Sequence, residues 1–329
     1  MAAHRGGSPR IGYFLSCEEY SPGELLEQAR LAEQAGFEAL WISDHFHPWN
    51  EEQGESAFVW TVIGALSQVT ALPITTAVTC PIMRTKPTLI AQAAASAHVM
   101  LGGRFTLGVG TGEALNETIH GDAWPAADVR LDMLREAVSL IRELWSGEVV
   151  DHHGEHFTVE NARIYTMRQD SPPIYVSGFG EASTRLAAEI GDGYITTSRD
   201  EHLLEVFRSA APAKPTTMGY KVAWAETESE GVEHAHRLWS NAGLPGELAQ
   251  VLPTPQHIEQ ASSLVDEAAT RENTVCGSDL ERHVEELMAS VDAGFDEIYV
   301  ANMGPHYAEM IRAYGAEVIP RLRTPQPAW

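Results

Sequence analysis

The 329-residue chain is 44% hydrophobic, enough to bury one large core, and its formal net charge of -24 tells against nucleic acid and anionic membrane as partners, since both demand basic faces. Three cysteines, Cys17, Cys80 and Cys276, are odd in number and widely spaced; they support neither a disulfide framework nor a Cys-x-x-Cys metal knuckle and fit a reducing cytoplasm. No apolar run is long enough for a membrane span or a signal peptide, and the polar residues 1–10, MAAHRGGSPR, read as a flexible leader.

In chain order, a strand-like run at 11–15 precedes helical spacing at 22–35, and a second strand follows at 39–43. The same βα unit recurs at 74–80 with 89–100, and at 105–110 with 130–144 after an insert. Further strands are expected at 173–177, 193–197, 220–224 and 297–300, each ahead of a helical pattern. Eight such units without a linker predict a single (β/α)8 TIM barrel over 11–329, an α/β fold with insertions. The longest irregular stretch, about 241–273, is expected to be an insertion near the active-site mouth. A doubly wound fold explains less. Gly108, Gly110 and Gly112 give G-x-G-x-G, Glu113 stands where a dinucleotide fingerprint needs its third glycine, and the motif does not follow the first strand of its unit.

In a barrel, catalytic groups stand where strands end at the C-terminal face, and SDHFHPW at 43–49 occupies such a place. No third ligand accompanies His45 and His47 at metal-site spacing, so no metal is expected there. His45 is then either a histidine hydrogen-bonded in a packed loop or a general base, its ordinary pKa near 6.5 suiting it to take a proton at neutral pH. HHGEH at 152–156 sits between two strand-like flanks with Gly154 at the turn and reads as a solvated surface hairpin.

Four motifs in order, SDHFHPW, GVGTGEALNE (108–117), AWPAADVRLDMLREAVSLIRELWSG (123–147) and VSGFGEAS (176–183), resemble the luciferase-like hydride-transferase superfamily. Within it the chain is most similar to the F420-dependent dehydrogenases of the F420-dependent glucose-6-phosphate dehydrogenase group. The resemblance implies coenzyme F420 as cofactor and hydride transfer from a hydroxyl-bearing carbon. A sugar 6-phosphate oxidised at C1 is the first substrate class and a secondary alcohol the second. It makes His45 the base, Trp49 an aromatic bordering the substrate, Glu113 a proton donor near the ring's pyrimidine edge, and Glu18 a carboxylate that orients His45 or a substrate hydroxyl. Thr76, Ala77 and Val78 match a bulge with a non-prolyl cis bond behind the ring. Asp44, Thr111, Gly112 and Asn116 match contacts to ring and ribityl chain. Ser177, Gly178, Phe179 and Gly180 precede a helix and match a phosphate cradle, for which free N–H groups at a positive helix end are suited.

The resemblance weakens at the substrate phosphate, which the sugar-phosphate enzymes clamp with two lysines and an arginine. Arg199 stands near the first position; near the others the chain offers His257 and Arg271, while Lys214 and Lys221 cannot be placed. A cytoplasmic homodimer is expected, the dimer from the family habit and an apolar-rich region at 58–65. An FMN-dependent monooxygenase of the same superfamily and a non-catalytic coenzyme-binding barrel are the rival readings.

Overall fold

A computed structural model describes residues 9–323. Of the expected leader, residues 1–8 lie outside the described residues, and Arg10 already begins the first strand. The strands are β1 (Arg10–Leu15), β2 (Leu40–Ile42), β3 (Ile74–Thr76), β4 (Phe105–Val109), β5 (Val150–His153), β6 (Thr158–Ala162), β7 (Ile174–Ser177), β8 (Gly193–Thr196), β9 (Thr216–Ala223), β10 (Val275–Cys276) and β11 (Glu297–Asn302). Eight of them, β1, β2, β3, β4, β7, β8, β9 and β11, pair in parallel in that order, and β11 returns to β1, closing the expected barrel. The short β10 adds to the end of β9, Val275 opposite Val222.

Differences from the sequence reading are local. The strand expected over 74–80 stops at Thr76, where the chain passes through a cis Ala77–Val78 peptide bond, and Thr79 then bridges to Val109. The strand expected at 220–224 begins earlier, at Thr216, because buried threonines there satisfy their hydroxyls: Thr217 donates to the Tyr194 carbonyl at 2.8 Å and Thr216 to Asp296 at 3.0 Å. HHGEH forms the antiparallel β5–β6 hairpin, held down by Glu136, which accepts from the His156 and Phe157 amides at 3.0 and 2.9 Å. The stretch 241–273 carries short helices at Leu248–Val251, Pro255–Ser262 and Glu267–Asn273; the first packs against the helix Ala114–Glu117.

The helix Pro22–Ala35 shows how sequence sets these elements. Ser21 and Glu24 form a reciprocal capping box, Pro22 occupies the first turn, and Leu25, Gln28, Ala29 and Ala32 fall on one buried face. Among the described residues three apolar clusters result, two of which frame the barrel wall. The larger lies between helices and barrel. The smaller fills the barrel interior, where Trp41 stacks on Tyr299 with ring centroids 4.3 Å apart and Phe14 meets Trp41 edge-on at 5.7 Å. Burial of each such side chain is worth about 1.5 to 3 kcal/mol. The indole fits because the facing position on β9 is Gly219, where any Cβ would overlap the Trp41 ring. This plug forms the floor beneath the strand ends. No helix among the described residues is long and apolar enough to cross a membrane.

Candidate active site

At the C-terminal end of β2, Ser43, Asp44 and His45 diverge. The Ser43 hydroxyl lies 2.6 Å from Glu18 Oε2 and accepts the Cys17 amide at 2.9 Å, which fixes the Glu18 carboxylate at the end of β1. Glu18 Oε1 is 3.4 Å from His45 Nε2, with the two side chains only 4% and 10% exposed. On the other side of the ring, His45 Nδ1 lies 3.0 Å from Asn116 Nδ2 and 3.2 Å from the His47 carbonyl oxygen.

The orientation of Asn116 follows from its neighbours. Its Oδ1 accepts the Phe46 and His47 amides at 2.9 and 3.1 Å, so its Nδ2 must face His45. Nδ1 of His45 therefore has a donor and an acceptor within reach. It can accept from Asn116, or carry a proton and donate to the His47 carbonyl, which leaves Nε2 free to take a proton beside Glu18. The Trp49 ring tilts against His45 at 5.0 Å, and Trp49 is held by its amide donating to Gln53 Oε1 at 2.8 Å. Glu113 enters the same group, its Oε2 3.4 Å from Asn116 Nδ2. The structure thus brings Glu18, His45, Trp49, Glu113 and Asn116 together, with half-buried Thr111 and Gly112 just before Glu113.

Asp44 turns the opposite way. It accepts from Thr79 Oγ1 and from Arg84 Nη2, both at 2.7 Å, and Arg84 reaches Glu117 through Nε at 3.4 Å and its amide at 2.9 Å. Burial pushes the Glu117 carboxyl up to about 7, outweighing the pull of Arg84. Ala77 and Val78, half-buried, pack on the barrel plug and present an apolar surface at the end of β3. Ser177 ends β7. Beyond it the Gly178 amide donates to the Ile195 carbonyl at 3.3 Å, and the Phe179 and Gly180 amides share Ser183 Oγ at 3.2 and 3.1 Å.

Arg199 is placed away from this group. Its guanidinium holds Glu286 by three contacts, 2.9 and 3.1 Å to the carboxylate and 3.0 Å to the carbonyl oxygen. Lys214 precedes β9, at the opposite end of the barrel, and donates to the Ala188 carbonyl at 2.7 Å; Arg271 pairs with Glu228 at 3.4 Å, and His257 contacts Thr254 at 2.8 Å. Lys221 lies near Glu18 and Glu19 instead. Its Nζ donates to Ser16 Oγ at 2.6 Å and sits 3.7 Å over the Trp239 ring and 4.3 Å over Phe14. Burial lowers its pKa against the opposing pull of Glu18 and Glu19. Glu19, which accepts Trp239 Nε1 at 2.6 Å, is pushed up to about 7 by burial.

Sequence reasoning did not single out Ser43, Arg84, Glu117, Glu19 or Trp239. The one signal available was Lys221 itself, a lone cation inside an apolar strand run, YKVAW.

Residues 8–297 match the family described as luciferase-like monooxygenase. The chain belongs to the luciferase-like family. Among its curated luciferase-like relatives, the F420-dependent glucose-6-phosphate dehydrogenase of Microbacterium testaceum (strain StLB037) is 36% identical over 331 residues, 95% of this chain and 97% of that protein. The F420-dependent hydroxymycolic acid dehydrogenase of Mycobacterium tuberculosis is 35% identical over 323 residues, 95% and 88% of the two chains. Among solved structures, an F420-dependent secondary alcohol dehydrogenase in complex with an F420-acetone adduct superposes with a TM-score of 0.90 at 33% identity, covering 97% of this chain and 100% of that one.

Proposed function

We propose that this luciferase-like chain is a dehydrogenase that passes a hydride from a hydroxyl-bearing carbon to coenzyme F420. The observation that carries the reading is His45, a nearly buried imidazole with its Nε2 beside Glu18 and both proton states provided for at Nδ1. Likeness to relatives named as F420-dependent dehydrogenases supports the choice of coenzyme.

The residues present fit a deazaflavin. Ala77 and Val78 offer an apolar surface for a flat ring, and Thr111, Gly112 and Asn116 would hold its edge. Phe179 and Gly180 turn amides toward the start of the helix Glu181–Ile190, where a phosphate oxygen can replace Ser183 Oγ as their acceptor. Asp44 supports this wall from behind, through Thr79. When bound, the deazaflavin supplies the two-electron acceptor for the hydride.

The chain's own residues handle the proton. His45 accepts it at Nε2 while Nδ1–H donates to the His47 carbonyl; Glu18, unable to turn because Ser43 holds its other oxygen, balances the imidazolium charge. Trp49 covers the ring and excludes water from that side. Glu113 serves as the second proton-handling carboxyl.

For the substrate, the geometry favours an uncharged secondary alcohol: of the residues available for a phosphate, Arg199, Arg271 and Lys214 already have partners, and Lys221 is enclosed by Phe14 and Trp239. A sugar 6-phosphate is the second reading, supported by the relatives named for glucose 6-phosphate. The test is loss of oxidised F420 absorbance with a short secondary alcohol and with glucose 6-phosphate in parallel. Turnover on the alcohol alone supports the first reading, turnover on the phosphate alone the second, and oxygen-consuming turnover with FMN would overturn both. We further infer a cytoplasmic homodimer, supported by exposed Phe58 and Leu89 on neighbouring helical segments. Light scattering at the monomer mass of 36.0 kDa would refute it.

A further inference from the structure

Away from the His45 group, three side chains from two distant segments meet beside the turn that follows β11. The helix Glu228–Trp239 places Glu230 and His234 one turn apart, so both project from the same face. His306, just before the helix Tyr307–Ala313, approaches them with its Nε2 3.3 Å from Glu230 Oε1, and its ring lies 5.8 Å from that of His234 at an interplanar angle of 37°. One ligand-type atom from each of the three lies within 4.8 Å of the others.

An ion pair between Glu230 and His306 accounts for two of these residues and leaves the third unexplained. His234 Nδ1 is buried with no hydrogen-bond partner, although a buried polar atom without one is costly. The turn is also shaped to admit the ring. Gly304 has φ of 86°, and a Cβ there would meet the His234 imidazole at 3.0 to 3.1 Å, a tight fit that a side chain would worsen in a conformation it seldom adopts.

We propose that Glu230, His234 and His306 bind one divalent transition-metal ion, clamping the helix after β9 to the turn after β11. Two nitrogens and one carboxylate oxygen suit zinc, cobalt or nickel over magnesium or calcium, which prefer all-oxygen sets. Two ligand atoms at about 2.0 to 2.1 Å from a tetrahedral ion stand about 3.3 Å apart, the separation already present between Glu230 and His306. Glu230 and His306 are still 38% and 35% exposed, so a fourth position is open to water. The clamp would bear on the mouth, because the Gly304 amide donates to Glu19 and its carbonyl accepts from Tyr20 at 2.7 Å.

The test uses tag-free full-length protein stripped with chelator and dialysed against zinc, then cobalt. One zinc per chain by elemental analysis, a visible cobalt absorption band, and a melting temperature that rises with zinc are expected. His234→Ala and His306→Ala should each weaken zinc binding about tenfold or more, and Glu230→Gln should also weaken it. Absence of zinc in the wild-type protein at micromolar concentrations would overturn the proposal. Undiminished binding in the His234→Ala/His306→Ala double variant would do so as well, by placing the ion elsewhere, for instance on the His152–His156 hairpin.

Discussion

Asp44 and His45 are neighbours in sequence and opposites in setting. Asp44 is fixed by two 2.7 Å bonds, one from the permanent cation Arg84, which in turn holds Glu117. His45 has no permanent cation beside it; its contacts are longer, 3.0 to 3.4 Å, and at Nδ1 one partner donates while the other accepts. Both are buried charge networks built on a carboxylate. The first holds Asp44 in one arrangement, on a hydroxyl and a guanidinium, while the second sets a donor and an acceptor at the same imidazole nitrogen. On the proposed function, the difference separates a group that transfers a proton from one that holds the wall beside it.

The largest expected effect breaks the first network. His45→Ala should lower turnover by roughly 10² to 10⁴, the usual contribution of a general base, with F420 binding close to wild type by fluorescence titration. Unchanged turnover would remove His45 from the chemistry. Arg84→Met is the counterpart in the second network. It leaves the buried Asp44 and Glu117 without their cation and should cost about 3 to 5 kcal/mol in urea unfolding, and a loss under about 1 kcal/mol would show that the network is not structural.

The contrast between these networks was only half legible in the sequence. His45 lies at a strand end, where the periodicity of βα units already places functional groups, and the family resemblance pointed to Glu18, Glu113 and Asn116. Arg84 lies in no motif and Glu117 only closes one: they meet Asp44 because the turn after β3 and the short helix Ala114–Glu117 fold onto the same wall. The barrel was legible because its strands are short apolar runs between helical patterns. The early start of β9 was not, since Thr216 and Thr217 read as polar until Asp296 and the Tyr194 carbonyl supply their partners. The cluster of Glu230, His234 and His306 was hidden for the same reason, its third member arriving from the far end of the chain.

A smaller effect sharpens the comparison through pH. The Glu117 carboxyl binds its proton more tightly folded, at about 7, than at the ordinary value of 4.5. The stability this lends is complete below about 4.5 and is lost as pH rises through about 7, because the ionised form is the one burial penalises. Wild type should therefore lose on the order of 2 to 3 kcal/mol across that window from this group. In Glu117→Gln the slope of unfolding free energy against pH should be shallower, and an identical slope would show that Glu117 ionises normally in the folded protein.

The smallest effect is expected at Arg199, which asks whether a cation near the mouth serves substrate or scaffold. Its three contacts with Glu286 resemble the fixed Asp44 network, but the pair is 33% and 25% exposed, so solvent screens it. Arg199→Ala should then cost under about 1 kcal/mol of stability. If the substrate is an uncharged alcohol, KM for it should stay within about threefold of wild type, because nothing on such a molecule calls for a guanidinium. If the substrate carries a phosphate, Arg199 must leave Glu286 to bind it, and KM for glucose 6-phosphate should rise about ten- to a hundredfold, on the order of 1.5 to 3 kcal/mol of charged hydrogen bonding. The phosphate effect belongs in KM and not in kcat, since such a group sits away from the reacting carbon. Matched kinetics of Arg199→Ala on both substrates therefore decide which of the two networks the residue belongs with.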